Sequence, residues 1–349
     1  EVRGKIVYHY QQLSLHGLTS ASAVKNAFLG VNLELGRIKM GLLELVEKHN
    51  KEAEAVMERG TIKNYYTTAA YVRKFLAAKF PNGEVFLDEV NFRLISEFEL
   101  YVRTNPLKTF DPCRNNGTMK HMERLKKIVS WAVRNEWMLK DPFKGYRTHY
   151  KHKEMQYLSK EELGKIETKE FKDPVLKTVK ELFVFSCYTG LSYSDLVELK
   201  TNNIVAKEGG QIWLETARRK THVPVRVPLL SPALAVLDKF KDRDGLIHWD
   251  DLFPWVSNQV MNKSLKLIGE LCDIRKNLTF HVARHTFATT VTLENNVPIE
   301  TISKLLGHTK IATTMIYAKV IQTKIGKDMS DLQNKLDQAR SVLSSRGGV

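Results

Sequence analysis

Apolar residues recur at three- and four-residue spacing from Leu33 to about Trp137, the period of helices that bury one face. Gly60, Pro81-Asn82-Gly83 and Asn105-Pro106 interrupt the pattern and are expected to separate the helices of a small bundle. Before it, residues 1–30 are polar and mixed, and they predict a helix and a turn around Gly17 that couple the body to something further N-terminal. After it, Lys144 to Lys153 is dense in Lys, Arg and His and poor in aliphatic residues, the composition of a linker. A second domain starts at Ser159-Lys160-Glu161-Glu162, where Ser159 and Glu162 have capping-box spacing. Val179 to Tyr188 predicts a buried helix ending at Gly190. From Gln211 to Leu229, β-branched and aromatic residues mix with Lys and Arg and Pro224 interrupts, which predicts a hairpin at a sheet edge. Further helices run from Val256 onward, and a last one carries Ile321, Ile325, Met329, Leu332, Leu336, Ala339 and Leu343 on one stripe. The fold class is therefore α+β and mainly α. It divides into a coupling segment (1–30), a helical bundle (31–145), a basic linker (146–156), a mixed domain (157–316) and a final helix and tail (317–349).

The helix expected from about Thr118 to Asn135 has two faces of different chemistry. Lys120, Arg124, Lys127, Trp131 and Arg134 fall on one, and Met122, Leu125, Val129, Ala132 and Val133 on the other. A solvated face would look the same, but the charge of the whole chain favours a helix laid along nucleic-acid phosphates. Lys and Arg outnumber Asp and Glu by 54 to 39, a surplus of +15, which suits a polyanionic partner. No run of 18 apolar residues exists to span a bilayer, so nucleic acid is preferred to a membrane. In the linker, Lys151 and Lys153 add to the basic surface and would let two DNA-facing domains close around a duplex. Cys113, Cys187 and Cys272 are odd in number and far apart, which argues against a disulfide framework or a zinc site and for a reducing cytoplasm. The chain opens on Glu1 without a signal peptide, as expected of a fragment that lacks an N-terminal domain.

The candidate chemistry lies near the C-terminus. His281 and Arg284 are one helical turn apart and share a face. Leu305-Leu306-Gly307-His308 predicts a helix end with Gly as its cap, followed by a helix that Thr309 can start and in which Ile311 and Met315 anchor Tyr317. Upstream, the hairpin carries Arg218 and Lys220. Two imidazoles, a guanidinium and an ammonium can take up the charge that builds on a phosphodiester when a tyrosine attacks it. No metal ligands accompany them. Singly these residues are weak signals, but His281-Val282-Ala283-Arg284-His285-Thr286-Phe287-Ala288-Thr289, then Leu306-Gly307-His308, then Tyr317 nine residues later form a specific combination.

On those residues the chain resembles the tyrosine recombinases, the phage-integrase family. The family's first box corresponds to Thr189-Gly190-Leu191-Ser192-Tyr193-Ser194-Asp195-Leu196, its second to His281–Thr290 with Leu306-Gly307-His308 and Tyr317, and its hairpin lysine to Lys220. The resemblance implies a SAM-like core-binding bundle ahead of a catalytic domain. It also implies attack by Tyr317 to give a 3′-phosphotyrosyl link and a free 5′-hydroxyl, with no cofactor, ATP or metal. Arg284 and His308 would hold the non-bridging oxygens, and His281 would bond the phosphate or help take the tyrosine proton. Lys220 would protonate the leaving 5′-oxygen, Asp195 would brace the helix of the second box, and His285 would be structural. The tail helix would pack on its own domain or on a neighbouring subunit.

One position departs from the family: Ser192 stands where its first box carries an Arg. A hydroxyl is uncharged and has a single donor, so it cannot replace a guanidinium. Either the enzyme is impaired and Ser192 only forms a capping box with Asp195, or another arginine reaches the phosphate. Residues two apart on a strand share a face, so Arg218 is expected to project with Lys220 and to substitute, while Arg219 faces away. The exchange resembles integrases of Bacteroides-type conjugative and mobilizable transposons. The expected function is thus a site-specific integrase of a mobile element, acting on duplex DNA attachment sites as a homotetramer through a Holliday junction. A host DNA-bending protein and an excision factor are possible partners, a membrane is not, and the location is the bacterial cytoplasm and nucleoid. The alternatives are a chromosome-dimer resolvase of the same family, a DNA-binding relative that has lost catalysis, and a type IB topoisomerase.

Overall fold

The computed structural model describes residues 2–15, 21–28, 40–241 and 250–318, and beyond them 326, 329, 330, 332–334, 336 and 337. The chain divides into two units, Glu1–Lys153 and Glu154–Val349, each with its own core.

The first unit is helical: α1 (Val2–Leu15), α2 (Ala21–Phe28), α3 (Leu42–Ala53), α4 (Arg59–Lys79), α5 (Phe92–Thr104) and α6 (Asn115–Arg134). Gly17 lies outside the described residues. Gly60 is not a break: it sits in the first turn of α4, where backbone N–H groups lack helical partners and Gly costs little. The expected breaks at Pro81–Gly83 and Asn105 do separate helices, with Gly83 at φ 64° and Asn105 capping α5. In α6, Met119, Met122, Leu125, Ile128, Val129 and Ala132 enter the core, as the two-faced pattern requires. Trp131 is half-buried, edge-on to Trp137 at 4.8 Å and to His49 at 5.3 Å, so it packs on the core and is not part of a solvated face.

The expected linker is largely strapped to α6. The Asn116 side chain donates to the Lys151 carbonyl and accepts its N–H, both at 2.8 Å, Asn115 donates to the His149 carbonyl at 2.8 Å, and Lys120 lies 4.9 Å from the Tyr150 ring. Composition alone could not reveal this, because the two asparagines act through backbone groups thirty-odd residues away.

The second unit is built on α8 (Pro174–Thr189), which follows α7 (Lys160–Thr168). Ser159 and Glu162 form the expected capping box of α7. Asp173 caps α8, Pro174 opens it, and Gly190 ends it at φ 71°. Its run from Val179 to Cys187 is buried on all sides, against α10 (Ser231–Asp238), α11 (Asn258–Leu271) and α12 (Phe280–Thr286). Two of its buried residues are charged: the Lys180 ammonium donates to the carbonyls of Glu167 and Lys169 at 3.1 and 3.0 Å, closing the end of α7, and the Glu181 carboxylate accepts from Lys239 at 2.9 Å.

Between α8 and α10 lie the short helix α9 (Tyr193–Leu196) and a three-stranded antiparallel sheet of β1 (Ile204–Ala206), β2 (Ile212–Ala217) and β3 (Pro224–Pro228) in that order. Pro224 opens β3, an edge strand, where its missing N–H removes no ladder bond. Leu214, Val225 and Val227 turn inward, and Pro224 and Arg226 outward. After α12 the chain passes through a π-helical turn, Phe287–Thr292, then α13 (Ile299–Leu305) and α14 (Met315–Ala318). Of the final apolar stripe, Ile321, Ile325, Ala339 and Leu343 lie outside the described residues, and Met329, Leu332 and Leu336 are exposed.

Candidate active site

Arg284 on α12 is the centre of the site and only 4% exposed. Its Nη1 donates to the Gly190 carbonyl at 2.7 Å and its Nη2 to the Leu306 carbonyl at 2.6 Å, which leaves three of the five guanidinium N–H groups for other acceptors. Both carbonyls come from tight turns made by glycines at positive φ. A Cβ on Gly190 would stand 2.5 Å from the Phe287 ring, and one on Gly307 2.6 Å from Val225 Cγ2 and 2.8 Å from Arg218 Cγ. The turn after α13 is a Schellman motif, with His308 N–H donating to the Ser303 carbonyl and Gly307 N–H to that of Lys304, each at 3.0 Å. It delivers His308 to a fixed position, where Nδ1 lies 2.8 Å from the hydroxyl of fully buried Thr314.

Arg218 reaches the same pocket from the hairpin, though not by strand alternation. β2 ends at Ala217, and Arg218–Val223 form the connection, closed by Arg218 N–H to Val223 O at 2.8 Å and His222 N–H to Arg218 O at 2.7 Å. The two-residue period stops with the strand, so Lys220 is exposed at the tip, away from the half-buried Arg218. Arg219 does face away, pairing with Glu198 at 2.8 Å.

The Arg218 side chain is 15% exposed, with Nη1 2.6 Å from Asp195 Oδ2. The pair is nearly out of solvent, so the buried Asp195 carboxylate holds the Arg218 guanidinium in place. Asp195 also accepts from the Ser192 hydroxyl at 2.7 Å, the Ser192 N–H at 3.3 Å and the Arg219 N–H at 3.0 Å. These partners lie on the start of α9 and on the hairpin, so Asp195 fastens the hairpin rather than bracing α12. Ser192 and Asp195 do form the capping box that their spacing suggests.

Tyr317 is 2% exposed, in the short helix α14. The expected helix from Thr309 is broken: Ile311–Thr313 make a 3-10 turn, and α14 starts only at Met315. Ile311 and Met315 are exposed and anchor nothing; buried Thr314 accepts the Tyr317 N–H at 3.0 Å instead. The phenol oxygen lies 3.2 Å from Nδ1 of His285, the imidazole that sequence reading assigned to structure. The one signal for it was spacing, since His285 follows His281 by four residues and therefore packs edge-on beside it, with ring centroids 4.4 Å apart. His281 itself is exposed.

Burial, then repulsion from Arg218, pulls the Arg284 pKa down to about 10, so it stays charged at neutral pH. Loss of solvent around part of the ring, then the Arg284 and Arg218 charges, lowers His281, and burial with the same two charges lowers His308 to about 4. Burial followed by His281 and Arg284 takes His285 to about 3, while burial raises Tyr317 against the pull of the two arginines. At neutral pH the pocket thus pairs a charged Arg284 with neutral imidazoles and a neutral phenol, and Arg218 and Asp195 lie beside them. Such a set can bind an anion with paired donors and hold a nucleophile beside it.

Two family profiles match in succession, "Phage integrase SAM-like domain" over residues 41–153 and "Phage integrase family" over 156–324. The chain belongs to the phage-integrase family of tyrosine recombinases. A tyrosine recombinase XerD from Listeria monocytogenes serotype 4b is 30% identical over 148 residues, 39% of this chain and 48% of that one. The chain thus spans about half the length of such relatives. A XerC-like recombinase from Caldanaerobacter subterraneus is 24% identical across 89% of both chains. Among solved structures, a lambda integrase dimer bound to a core site superposes with a TM-score of 0.64 at 18% identity, covering 80% of this chain and 95% of that one. The Tn1549 transposon integrase with circular-intermediate DNA gives 0.62 at 15%, covering 84% and 99%. At such identities these structures establish the recombinase fold alone.

Within the SAM-like region, the basic residues expected to face DNA lie on α6 and on its strap. Lys127, Arg134, Lys151 and Lys153 are exposed, and Arg124 is half-buried. Lys120 is exposed too, but it is tied to Glu123 at 2.8 Å, and Lys127 lies 5.9 Å over the Tyr65 ring. No helix among the described residues is long and apolar enough to cross a membrane.

Proposed function

We propose that this chain is a site-specific recombinase that cuts and rejoins duplex DNA through Tyr317 as the integrase of a mobile element. The observation that carries the reading is a phenol oxygen held beside a pocket where Arg284, with three N–H groups to spare, and Arg218, fixed by Asp195, converge. Two guanidiniums near one another, with a single carboxylate against Arg218, leave donors that suit a further anion, and a phosphodiester has the right charge and acceptor geometry.

In this reading Arg284 and Arg218 hold the non-bridging oxygens, with Asp195 fixing Arg218. His308 donates from Nε2 while the Thr314 hydroxyl occupies Nδ1, and His281 also bonds the phosphate. Tyr317 attacks phosphorus, the 3′-phosphotyrosyl bond forms, and the 5′-oxygen leaves with a proton from Lys220 at the hairpin tip. Lys120, Arg124, Lys127, Arg134, Lys151 and Lys153 contact backbone phosphates of an attachment site. Residues 31–145 serve as the core-binding domain and 157–316 as the catalytic domain. Exchange proceeds in a homotetramer through a Holliday junction in the bacterial nucleoid, with a DNA-bending protein and an excision factor as accessories.

Ser192 in place of the family's arginine supports the transposon-integrase branch, with Arg218 as the substitute. Cleavage of a nicked suicide duplex tests this. Arg218→Ala should lose about 10²–10³-fold in rate, the scale of one charge-stabilising donor, while Ser192→Ala should stay within about tenfold. The reverse ranking would end the proposal. The XerD and XerC-like relatives favour a second reading, a chromosome-dimer resolvase. Resolution of plasmid dimers without attachment of a circular intermediate to target DNA would select it.

A further inference from the structure

The His285 imidazole has no part in the reaction outlined above, yet it is the hydrogen-bond partner of the Tyr317 hydroxyl, at 3.2 Å. Its ring is tilted 57° to the phenol at a centroid distance of 5.7 Å and lies edge-on to His281. Its backbone is pinned as well: the Thr289 hydroxyl donates to its carbonyl at 2.7 Å, just where α12 passes into the π-helical turn. Turns of that kind re-aim side chains and are common at functional sites. Resting on the reading of Tyr317 as nucleophile, we propose that His285 is a catalytic residue that accepts the Tyr317 proton through Nδ1 as the phenol oxygen attacks the DNA phosphate.

The chemistry requires the tautomer with its proton on Nε2, which leaves the Nδ1 lone pair facing the phenol. The groups facing this ring are His281 and Arg284 on its own helix and Tyr317 on α14. The first two, with burial, keep the imidazole neutral in the free protein, so Nδ1 is available as an acceptor throughout the working pH range. The proton arrives only during attack, when the phosphate gains negative charge that stabilises an imidazolium beside it. The bond from Tyr317 oxygen to phosphorus forms as its O–H bond breaks, the proton passes to Nδ1, and the P–O5′ bond breaks with its electron pair on the 5′-oxygen. Lys220 protonates that oxygen. On rejoining, the 5′-hydroxyl attacks, Lys220 takes its proton back, and His285 returns the other to the departing tyrosine. The two neighbouring imidazoles then have separate tasks, with exposed His281 at the phosphate and half-buried His285 at the nucleophile.

The test is single-turnover formation of the covalent complex on two suicide duplexes, one with an ordinary scissile phosphate and one with a 5′-bridging sulfur, which leaves without protonation. His285→Ala and His285→Asn should each be slowed about 10²-fold on both substrates with DNA affinity retained, whereas Lys220→Ala should be slowed on oxygen and restored on sulfur. Asn keeps a hydrogen-bond acceptor without a basic site and carries the test by itself if the Ala variant does not fold. The inference is overturned if Asn cleaves at the wild-type rate, if Ala cleaves as fast as or faster than wild type, or if sulfur restores either variant. Tyr317→Phe runs alongside: a covalent complex that persists there sinks the nucleophile assignment itself, while its loss together with active His285 variants sinks only the role of His285.

Discussion

Gly307→Ala tests whether the site depends on close backbone approach at one turn. The residue sits at φ 63°, so any side chain there is strained by about 1 kcal/mol. The new methyl would also stand 2.6 Å from Val225 Cγ2 and 2.8 Å from Arg218 Cγ, against a comfortable carbon–carbon separation of about 3.5–4.0 Å. Val225 is buried and held in β3 by its pairing with Thr216, so it cannot swing aside without moving the strand. Overpacking of this kind costs about 1–3 kcal/mol, and with the strain the variant should be less stable by about 2–4 kcal/mol. Relief comes most easily from Arg218, whose displacement by about 1 Å should slow cleavage by about 10²-fold. Gly210→Ala is the control: it sits at φ 77°, and its new methyl would meet no atom within 4 Å, so it carries the strain without the contact. Urea unfolding and single-turnover cleavage of a suicide duplex should separate the two variants. Equal stability losses, with both cleaving at the wild-type rate, would refute the packing argument.

Two further outcomes follow from buried polar contacts. Thr314→Val keeps the shape of a fully buried residue and removes the hydroxyl 2.8 Å from His308 Nδ1. The lost hydrogen bond is worth about 0.5–1.5 kcal/mol, so cleavage should slow about 3–10-fold and the His308 ring ¹⁵N shifts should change; no change in either would exclude a positioning role. In the first unit, burial and the Arg124 charge lower the His121 pKa to about 4, and its Nδ1 lies 2.9 Å from the Thr68 hydroxyl. A folded pKa below the unfolded value of about 6.5 means that stability is fully present above that pH and is lost as pH falls toward 4, by at most about 3 kcal/mol. Urea unfolding followed by tryptophan fluorescence at pH 7.5 and 4.5 should show this loss and show it reduced in His121→Gln. An identical pH dependence in that variant would contradict the assignment.

Local rules carried far along this chain. The capping box at Ser159, the positive-φ ends at Gly190 and Gly307 and the two faces of α6 are decided by residues within a turn or two of each other, and each was legible from the sequence. The specific spacing of His281, Arg284, His308 and Tyr317 identified the family for the same reason, since it records which chemistry the fold must deliver. Tertiary contacts decided what remained. Gly60 reads as a breaker and joins α4 because its exposed turn tolerates it, and a basic segment that reads as a linker is strapped down by Asn115 and Asn116. Asp195 serves the hairpin rather than α12, and His285 meets Tyr317 across 32 residues. The order of residues determined which side chains exist near each turn. Only the packed core of α8, α12, α13 and the sheet determined which of them touch, because a hydrogen bond is made or lost over distances smaller than any spacing rule can specify.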